Sequence, residues 1–316
     1  MSVVISGIGG YLPEKVLTNY DLSSFIDTSN EWILSRTGIE KRHILSDGQA
    51  TSDMATAALK SAASSANIDP KELDGIIVAT STPDLIMPST AVIVQKKIKA
   101  SIKCFAFDIQ AACAGFLYAI ELGFSMMNSG KYNHIAIVGA DAMSKIINWE
   151  DRATCVLFGD GAGALILSRS EQHDRGLICS KIYSDPDLID ILKVDGGVSS
   201  GSFNSKLYMQ GPAVFKNAVD KLSSSMLEVV SLSGLHINDI DLIVPHQANQ
   251  RITDSVLRVL GVPAHKVIST VSEHANTSAA SIPLALHSRK KDVKDQTILF
   301  AAIGAGMTWG ACIIKT

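Results

Sequence analysis

The sequence predicts an α/β fold built from two related halves. Short apolar runs typical of buried strands alternate with amphipathic helical stretches along the chain. Segments of the first half also have counterparts in the second, since PKELDGIIV resembles INDIDLIV and HIAIVGAD resembles TILFAAIGA. With 316 residues and a hydrophobic content of 47%, the chain can bury one large core.

The repeat aligns Asp74 with Asp241 and Ile135 with Ile298. No linker rich in proline or charge separates the halves, so we expect them to share one layered core. Short continuous apolar runs of this kind are typical of strands covered on both faces. Such strands are predicted at residues 74–81, 103–109, 134–140, 161–168, 241–246 and 297–303.

A helix is predicted from about residue 114 to residue 127, because its apolar side chains recur at helical spacing. The stripe consists of Phe116, Ile120, Phe124 and Met127. Gly130 is available to end this helix. The N-terminal stretch MSVVISGIGG lacks the basic start and long apolar core of a signal peptide, so it is predicted to be the first strand.

An uncharged stretch from Thr297 to Ile314 approaches the length of a membrane span. Its glycines divide it into two strand-sized pieces, which favours a buried strand pair over a tail anchor. Five cysteines without a CxxC pair or a zinc-like spacing indicate a reducing, cytoplasmic location. The 28 basic and 31 acidic side chains give a net charge of −3 and no nucleic-acid-binding signature.

Three motifs rich in small residues hold the candidate catalytic side chains: AACAGF, PHQAN and EHANTSAASIP. Cys113 lies where a strand passes into a helix, and a helix N-terminus favours a thiolate. The alternative is a small buried hydrophobe, the usual state of a free cysteine. His246 follows a strand at the edge of the sheet where α/β proteins form their sites, although a satisfied polar group is the alternative. Asn276 precedes a helix of small residues.

These motifs, in this order, resemble the β-ketoacyl-[acyl-carrier-protein] synthase III family of the thiolase superfamily. The resemblance covers nearly the whole chain, from GIGGYLPEKVLTN through DIQAACAGFLYAI, VPHQANQRI and HANTSAASIPLAL to GAGMTWGACII. It implies a duplicated five-layer αβαβα fold with thiolase-like halves at residues 1–170 and 171–316. It also implies the initiating condensation of bacterial fatty acid synthesis.

The resemblance implies that Cys113 is the nucleophile and that His246 and Asn276 assist it. Cys113 would take an acyl group from coenzyme A as a thioester. Malonyl-[acyl-carrier protein] would then lose carbon dioxide, and the carbanion would attack the acyl-cysteine. The main-chain N–H groups of Cys113 and Ala305 are the implied oxyanion donors. No metal or redox cofactor is implied, because coenzyme A enters as part of the substrate.

The resemblance also implies binding residues. Those for coenzyme A are Thr28, Trp32, Arg36, Arg152, Phe215 and Asn249. Those for the acyl pocket are Met87, Phe158 and Ile303, with Met87 contributed by the partner subunit of a homodimer. Those that would attract an acidic carrier protein are Lys216, Arg251 and Arg258. Without the resemblance, the last group is a solvated helix face.

The chain departs from the family pattern at Ala275 and Ala305, which occupy usual glycine positions, and at Met87 and Ile303, where aromatic residues are common. Other function classes remain as alternatives. A papain-like hydrolase lacks its CGSCW-type signature here. A non-decarboxylating acyltransferase is the nearer alternative, and Asn276 favours condensation over it, because an enolate needs two donors on its oxygen. A noncatalytic carrier-binding protein would not need the complete triad.

Overall fold

The computed structural model describes residues 2–202 and 206–316. Its strands are β1 (Ser2–Tyr11), β2 (Lys15–Thr18), β3 (Lys41–Ile44), β4 (Gly75–Ala79), β5 (Phe105–Ile109), β6 (His134–Asp141), β7 (Gly161–Ser170), β8 (Gly176–Ser184), β9 (Leu192–Val194), β10 (Leu207–Met209), β11 (Leu242–Pro245), β12 (Thr297–Gly304) and β13 (Thr308–Lys315). Its α-helices are α1 (Asn19–Ser23), α2 (Asn30–Thr37), α3 (Thr51–Ala66), α4 (Thr90–Ile98), α5 (Gly115–Asn128), α6 (Gly211–Leu232), α7 (Gln250–Leu260), α8 (Val271–His274) and α9 (Ser281–Ser288).

Two mixed sheets form the body of the protein. The first has the order β1-β7-β6-β4-β5 and the second has the order β8-β13-β12-β11, so the second repeats the first except for its last edge strand. The repeat extends to side chains. Asp74 accepts the main-chain N–H of His134 at 3.0 Å, and Asp241 accepts that of Thr297 at 2.8 Å. The two aspartates therefore join equivalent strands, and the predicted duplication is confirmed.

Helices cover both faces of each sheet. Helices α5 and α9 lie between the sheets, where Phe116 and Ile282 belong to one buried cluster with Ile137 of the first sheet and Phe300 of the second. Helices α3 and α4 pack on the outer face of the first sheet. Helices α6 and α7 pack on the outer face of the second. This arrangement is the predicted five-layer αβαβα fold.

The predicted elements are confirmed, with shifted ends. The apolar stripe of α5 is buried, but the helix begins at Gly115 because residues 112–114 form a 3₁₀ turn. The strands predicted at 74–81 and 241–246 end at Ala79 and Pro245. The uncharged stretch near the C-terminus forms the antiparallel pair β12 and β13, as predicted. None of the helices in the described ranges has the length and apolar character needed to cross a bilayer.

Ala275 lies between α8 and the predicted catalytic asparagine. Its backbone has φ of 58° and ψ of −161°, a conformation that residues with a Cβ rarely adopt. Such strain costs up to about 3 kcal/mol. Replacing Ala275 with glycine removes this strain. The same change lowers the free energy of unfolding by about 1 kcal/mol through backbone entropy and by about 0.8 kcal/mol through the lost burial of a methyl group. We expect Ala275→Gly to stabilise the protein by about 1 kcal/mol, measured by reversible denaturant unfolding.

The control is Ala280→Gly, because Ala280 is also buried but has an ordinary helical φ of −77°. This variant loses the same methyl group and gains no relief from strain, so it should be less stable than the wild type. Equal destabilisation by both substitutions would show that Ala275 carries no strain.

Candidate active site

A cavity of about 770 Å³ brings together the three predicted catalytic residues, Cys113, His246 and Asn276. Cys113 lies on the 3₁₀ turn before α5, His246 follows β11, and Asn276 follows α8. The duplicated topology therefore joins one residue of the first half with two residues of the second. Their meeting point lies at the carboxyl ends of the strands, where α/β sheets form their sites.

The main chain beside Cys113 is held by the turn between β12 and β13. A Cβ added at Gly304 would lie 2.7 Å from the main-chain nitrogen of Cys113, so only glycine permits this close approach. The Thr308 hydroxyl donates to the carbonyl of Ala111 at 2.8 Å, which ties the same turn to the segment before the cysteine. Ala305 lines the cavity next to this contact. Ala305 does not have a positive φ, so its Cβ fits this turn without that strain.

The resting state of Cys113 differs from the prediction. Burial raises the pKa of its thiol to about 12, a hydrogen bond from the Ser278 side chain lowers it, and the negative charge of Asp141 raises it. The helix N-terminus was expected to favour the thiolate, but the loss of solvation opposes ionisation more strongly. Cys113 is therefore a neutral thiol in the unliganded site, and acylation requires that its proton be removed.

His246 is buried and neutral, because burial lowers its pKa to about 4. Its Nδ1 lies 2.7 Å from the hydroxyl oxygen of Ser281, which also accepts the main-chain N–H of Gln247 at 3.3 Å. A hydroxyl oxygen can accept two hydrogen bonds, so this contact fits either tautomer of His246; when Ser281 donates to Nδ1, Nε2 carries the ring N–H. His246 can thus present a donor to a ligand in the cavity.

Asn276 is fixed through both its main chain and its side chain. Its main-chain N–H donates to the carbonyl of Leu157 at 2.9 Å, and its carbonyl accepts the N–H of Gly159 at 3.0 Å. Its Oδ1 accepts the main-chain N–H of Ser278 at 2.8 Å. The acceptor end of the amide is therefore occupied, which leaves Nδ2 as the end available to a ligand.

The other end of the cavity contains Trp32 of α2. The guanidinium carbon of Arg36 lies 4.7 Å from the centre of a Trp32 ring, and that of Arg152 lies 4.9 Å from it. Arg152 also donates to the carbonyl of Asp27 at 2.8 Å. The side chain of Asn249, at the start of α7, donates to the carbonyl of Arg36 at 3.1 Å. The tryptophan is thus held in a cationic, stacked environment.

The structure does not bring every predicted binding residue to this cavity. Those that line it are Trp32, Arg36, Phe158, Phe215, Asn249, Arg251, Ile303 and Ala305. Those that do not are Thr28, Met87, Arg152, Lys216 and Arg258. Thr28 has a buried hydroxyl without a hydrogen-bond partner within the described residues. Met87 is 79% exposed on its own chain, and Lys216 and Arg258 line a neighbouring depression together with Phe215.

The sequence analysis missed three polar residues beside the triad. Ser278 and Ser281 lie in the quoted motif HANTSAASIP, where only the asparagine was selected. Asp141 is the last residue of β6, and its carboxylate is buried. A polar residue at the carboxyl end of a buried strand is the signal that could have identified it.

Comparisons with known proteins agree with this geometry. The family model for 3-oxoacyl-[acyl-carrier-protein (ACP)] synthase III matches residues 107–186 of this sequence. The family model for the C-terminal part of the same enzyme matches residues 230–316. Beta-ketoacyl-[acyl-carrier-protein] synthase III of Ehrlichia canis (strain Jake) is 49% identical over 99% of this chain and 98% of its own. The corresponding protein of Wolbachia pipientis wMel is 49% identical over 98% of each chain.

Solved structures give the same result. The crystal structure of 3-oxoacyl-[acyl-carrier-protein] synthase III from Aquifex aeolicus VF5 matches with a TM-score of 0.95 and 41% identity over 100% of both chains. That from Pseudomonas aeruginosa PAO1 matches with a TM-score of 0.94 and 36% identity, over 100% of this chain and 98% of its own. The sequence comparison and the structure comparison thus identify members of the same family, each over nearly the whole chain. The chain belongs to the 3-oxoacyl-[acyl-carrier-protein] synthase III family.

Proposed function

We propose that this enzyme carries out the initiating condensation of fatty acid synthesis in the cytoplasm. A short acyl group, with acetyl as the first candidate, passes from coenzyme A to Cys113. Malonyl-[acyl-carrier protein] then extends it, and the products are 3-oxoacyl-[acyl-carrier protein], coenzyme A and carbon dioxide. The observation that carries this proposal is the meeting of a cysteine thiol with two oriented hydrogen-bond donors in one deep cavity.

In the first half-reaction, the sulfur of Cys113 bonds to the acyl carbonyl carbon, and the bond from this carbon to the sulfur of coenzyme A breaks. The carbonyl oxygen becomes an oxyanion during the attack, and the main-chain N–H groups of Cys113 and Ala305 are the proposed donors to it. Exchange between two thioesters changes the free energy little, so the acyl-enzyme can form reversibly.

In the second half-reaction, Nε2 of His246 and Nδ2 of Asn276 donate to the thioester oxygen of the malonyl group. Carbon dioxide leaves with cleavage of its C–C bond, and the electron pair is held as an enolate by these two donors. The enolate carbon then bonds to the acyl carbon of the acyl-cysteine, the C–S bond breaks, and the Cys113 thiolate that leaves takes up a proton from water. Thioester exchange and decarboxylation of a malonyl thioester need no metal or redox cofactor, and we propose none.

Coenzyme A is proposed to enter along Trp32. Both guanidinium groups beside the indole already lie at stacking distance, so an adenine ring must replace one of them. The displaced arginine, Arg36 or Arg152, would then bind a phosphate. Phe215 and Asn249 line the same cavity as Trp32 and the triad, which makes them the proposed contacts of the pantetheine arm. Thr28, whose hydroxyl has no hydrogen-bond partner among the described residues, is proposed to contact this arm as well.

The carrier protein is proposed to dock on α6 and α7 beside the cavity mouth. Lys216, Arg251 and Arg258 are exposed there, and Arg251 lies at the cavity itself. Such a face attracts an acidic carrier, and the attraction mainly raises the rate of association.

Arg258→Glu should raise the KM for malonyl-[acyl-carrier protein] and leave acylation by acyl-CoA unchanged. Equal effects on both half-reactions would contradict this docking site.

We propose a homodimer formed through the β5 edge of the first sheet. The strand β5 is only partly buried along its length, and the nearby Leu85, Ile86 and Met87 are 52%, 68% and 79% exposed. A second copy would cover these apolar side chains and place Met87 in the partner's acyl pocket.

Ile86→Glu should shift the protein towards monomer in analytical ultracentrifugation, whereas Leu232→Glu on α6 should not.

The proposed reaction is tested by intact-protein mass spectrometry after exposure to acyl-CoAs of different length and branching. Malonyl-[acyl-carrier protein] is then added, and carbon dioxide is measured. An adduct consumed with carbon dioxide release supports condensation, and the preferred donor identifies the primer. An adduct that persists without decarboxylation would favour the acyltransferase alternative, and no adduct from any donor would contradict the proposal.

A further inference from the structure

Arg42 of β3 is a fully buried arginine that does not line the catalytic cavity. Burial lowers the pKa of its guanidinium to about 10, so the group stays charged at neutral pH. Within residues 2–202 and 206–316 all of its hydrogen bonds go to neutral oxygens. An unpaired buried charge carries a large desolvation penalty, which an apolar side chain of similar size would avoid. The bonds that this arginine makes are therefore the feature to explain.

The guanidinium connects β3 with segments on two sides. One terminal nitrogen donates to the carbonyl of Leu17 at 3.2 Å and to Oδ1 of Asn19 at 2.9 Å. The other terminal nitrogen donates to the carbonyl of Val156 at 3.0 Å. The planar fork of an arginine presents its donors in fixed directions, so it can hold acceptors on both sides at once. Arg42 thus fixes the position of Val156 relative to β2 and α1.

The segment 156–159 in turn holds the backbone of Asn276. The carbonyl of Leu157 accepts the main-chain N–H of Asn276 at 2.9 Å, and the N–H of Gly159 donates to the Asn276 carbonyl at 3.0 Å. These two bonds form a parallel bridge between Phe158 and Asn276. A shift of the segment would therefore move the Asn276 backbone and carry Nδ2 away from its place in the cavity.

Gly159 brings this segment into close contact with its neighbours. A Cβ added at Gly159 would lie 2.8 Å from the carbonyl oxygen of His274 and 3.1 Å from the Cβ of Arg42. Its φ is not positive, so the site requires the small size of glycine and not its conformational freedom. The segment, β3 and the last residue of α8 are thus packed without room for a methyl group.

We propose that Arg42 is a positioning residue that holds Asn276 in the geometry needed for decarboxylation. The path leads from the guanidinium to the carbonyl of Val156, and from the residues that follow Val156 to the main chain of Asn276. Cys113 is held separately, by the turn between β12 and β13. Loss of Arg42 should therefore impair the half-reaction that uses Nδ2 of Asn276 and spare the half-reaction in which Cys113 is acylated.

Arg42→Met tests this proposal, because it keeps an unbranched side chain and removes the donors of the fork. Carbon dioxide release from malonyl-[acyl-carrier protein] by the preformed acyl-enzyme should fall about tenfold, less than the roughly hundredfold effect of losing an oxyanion donor outright. Acylation at saturating acyl-CoA should stay near that of the wild type. Saturation is needed because Val156 and Leu157 line the cavity, and their movement changes substrate affinity.

A double-mutant cycle separates positioning from a general loss of structure. If Arg42 acts through Asn276, adding Arg42→Met to Asn276→Ala should cause little further loss of decarboxylation, because the positioned group is already absent. A purely structural role would lower decarboxylation by the same factor in both backgrounds, and that additive result would overturn the proposal. Equal losses of acylation and decarboxylation in Arg42→Met alone would also overturn it.

Arg169→Met is the matched control. Arg169 also donates to main-chain carbonyls, those of Tyr132 at 2.7 Å and Met127 at 3.0 Å, but neither of these residues lines the catalytic cavity. This variant should lower the free energy of unfolding and leave the ratio of decarboxylation to acylation unchanged. A changed ratio would show that any lost arginine has this effect, against the proposal.

Gly159→Ala is the second variant, and it serves if Arg42→Met does not fold. It keeps the guanidinium and displaces the segment directly, because the added Cβ cannot remain 2.8 Å from the His274 carbonyl oxygen. We expect the same selective loss of decarboxylation. A wild-type ratio of the two rates in this variant would show that the segment does not position Asn276, and the proposal would be wrong.

The inference rests on the proposed role of Asn276 in decarboxylation, and the variants separate the two. If Asn276→Ala decarboxylates normally, the proposed function is wrong, and the role of Arg42 with it. If Asn276→Ala is defective while Arg42→Met and Gly159→Ala decarboxylate at the wild-type rate, only the role of Arg42 is wrong.

Discussion

Replacing Cys113 with serine is expected to abolish the acyl-enzyme and to reduce condensation at least about a thousandfold. A serine hydroxyl has a far higher pKa than a thiol, and burial already raises the pKa of the cysteine to about 12. The serine alkoxide would be still harder to form in the same environment. Mass spectrometry after exposure to acyl-CoA measures the adduct directly.

The control for this prediction is Cys179→Ser. Cys179 is also a free, partly exposed cysteine, but it lies on β8 and does not line the catalytic cavity. This variant should retain both the adduct and condensation. An adduct of normal yield in Cys113→Ser would show that another residue is the nucleophile, and the proposed roles of the triad would then be wrong.

The positions of the triad could be predicted because each residue lies in a short motif of the local sequence. Cys113 is flanked by small residues at a strand-to-helix passage, and His246 directly follows a strand. These features depend on neighbours in the chain, so the sequence contains them. The duplication could be predicted for a similar reason, since Asp74 and Asp241 directly precede equivalent strands and accept equivalent hydrogen bonds.

The ionisation of Cys113 could not be predicted in the same way. Its environment depends on burial by several elements and on the distant residues Asp141 and Ser278, which the fold brings beside it. A helix N-terminus is visible in the sequence, but the loss of water around the thiol is not. The acyl pocket has the same difficulty, because the exposed side chain of Met87 needs a second subunit to have a binding role.

Replacing Asn276 with alanine is expected to spare acylation and to suppress decarboxylation by about a hundredfold, the usual effect of losing one oxyanion donor. In the proposed mechanism, acylation uses main-chain donors, whereas the enolate is held by both Nδ2 of Asn276 and Nε2 of His246. Because the pKa of His246 is about 4, the remaining donor stays neutral between pH 6 and pH 8. The defect should therefore be the same across this range.

Two further variants separate the lost donor from lost structure. Asn276→Asp keeps an oxygen that can accept the main-chain N–H of Ser278, the bond that now fixes Oδ1, but it has no N–H for the enolate. It should acylate normally and fail to decarboxylate. Asn276→His offers a ring N–H instead and should recover part of the carbon dioxide release. If all three variants lost acylation and decarboxylation by the same factor, Asn276 would be a structural residue, and the stabilisation of the enolate would have to come from His246 and the main chain.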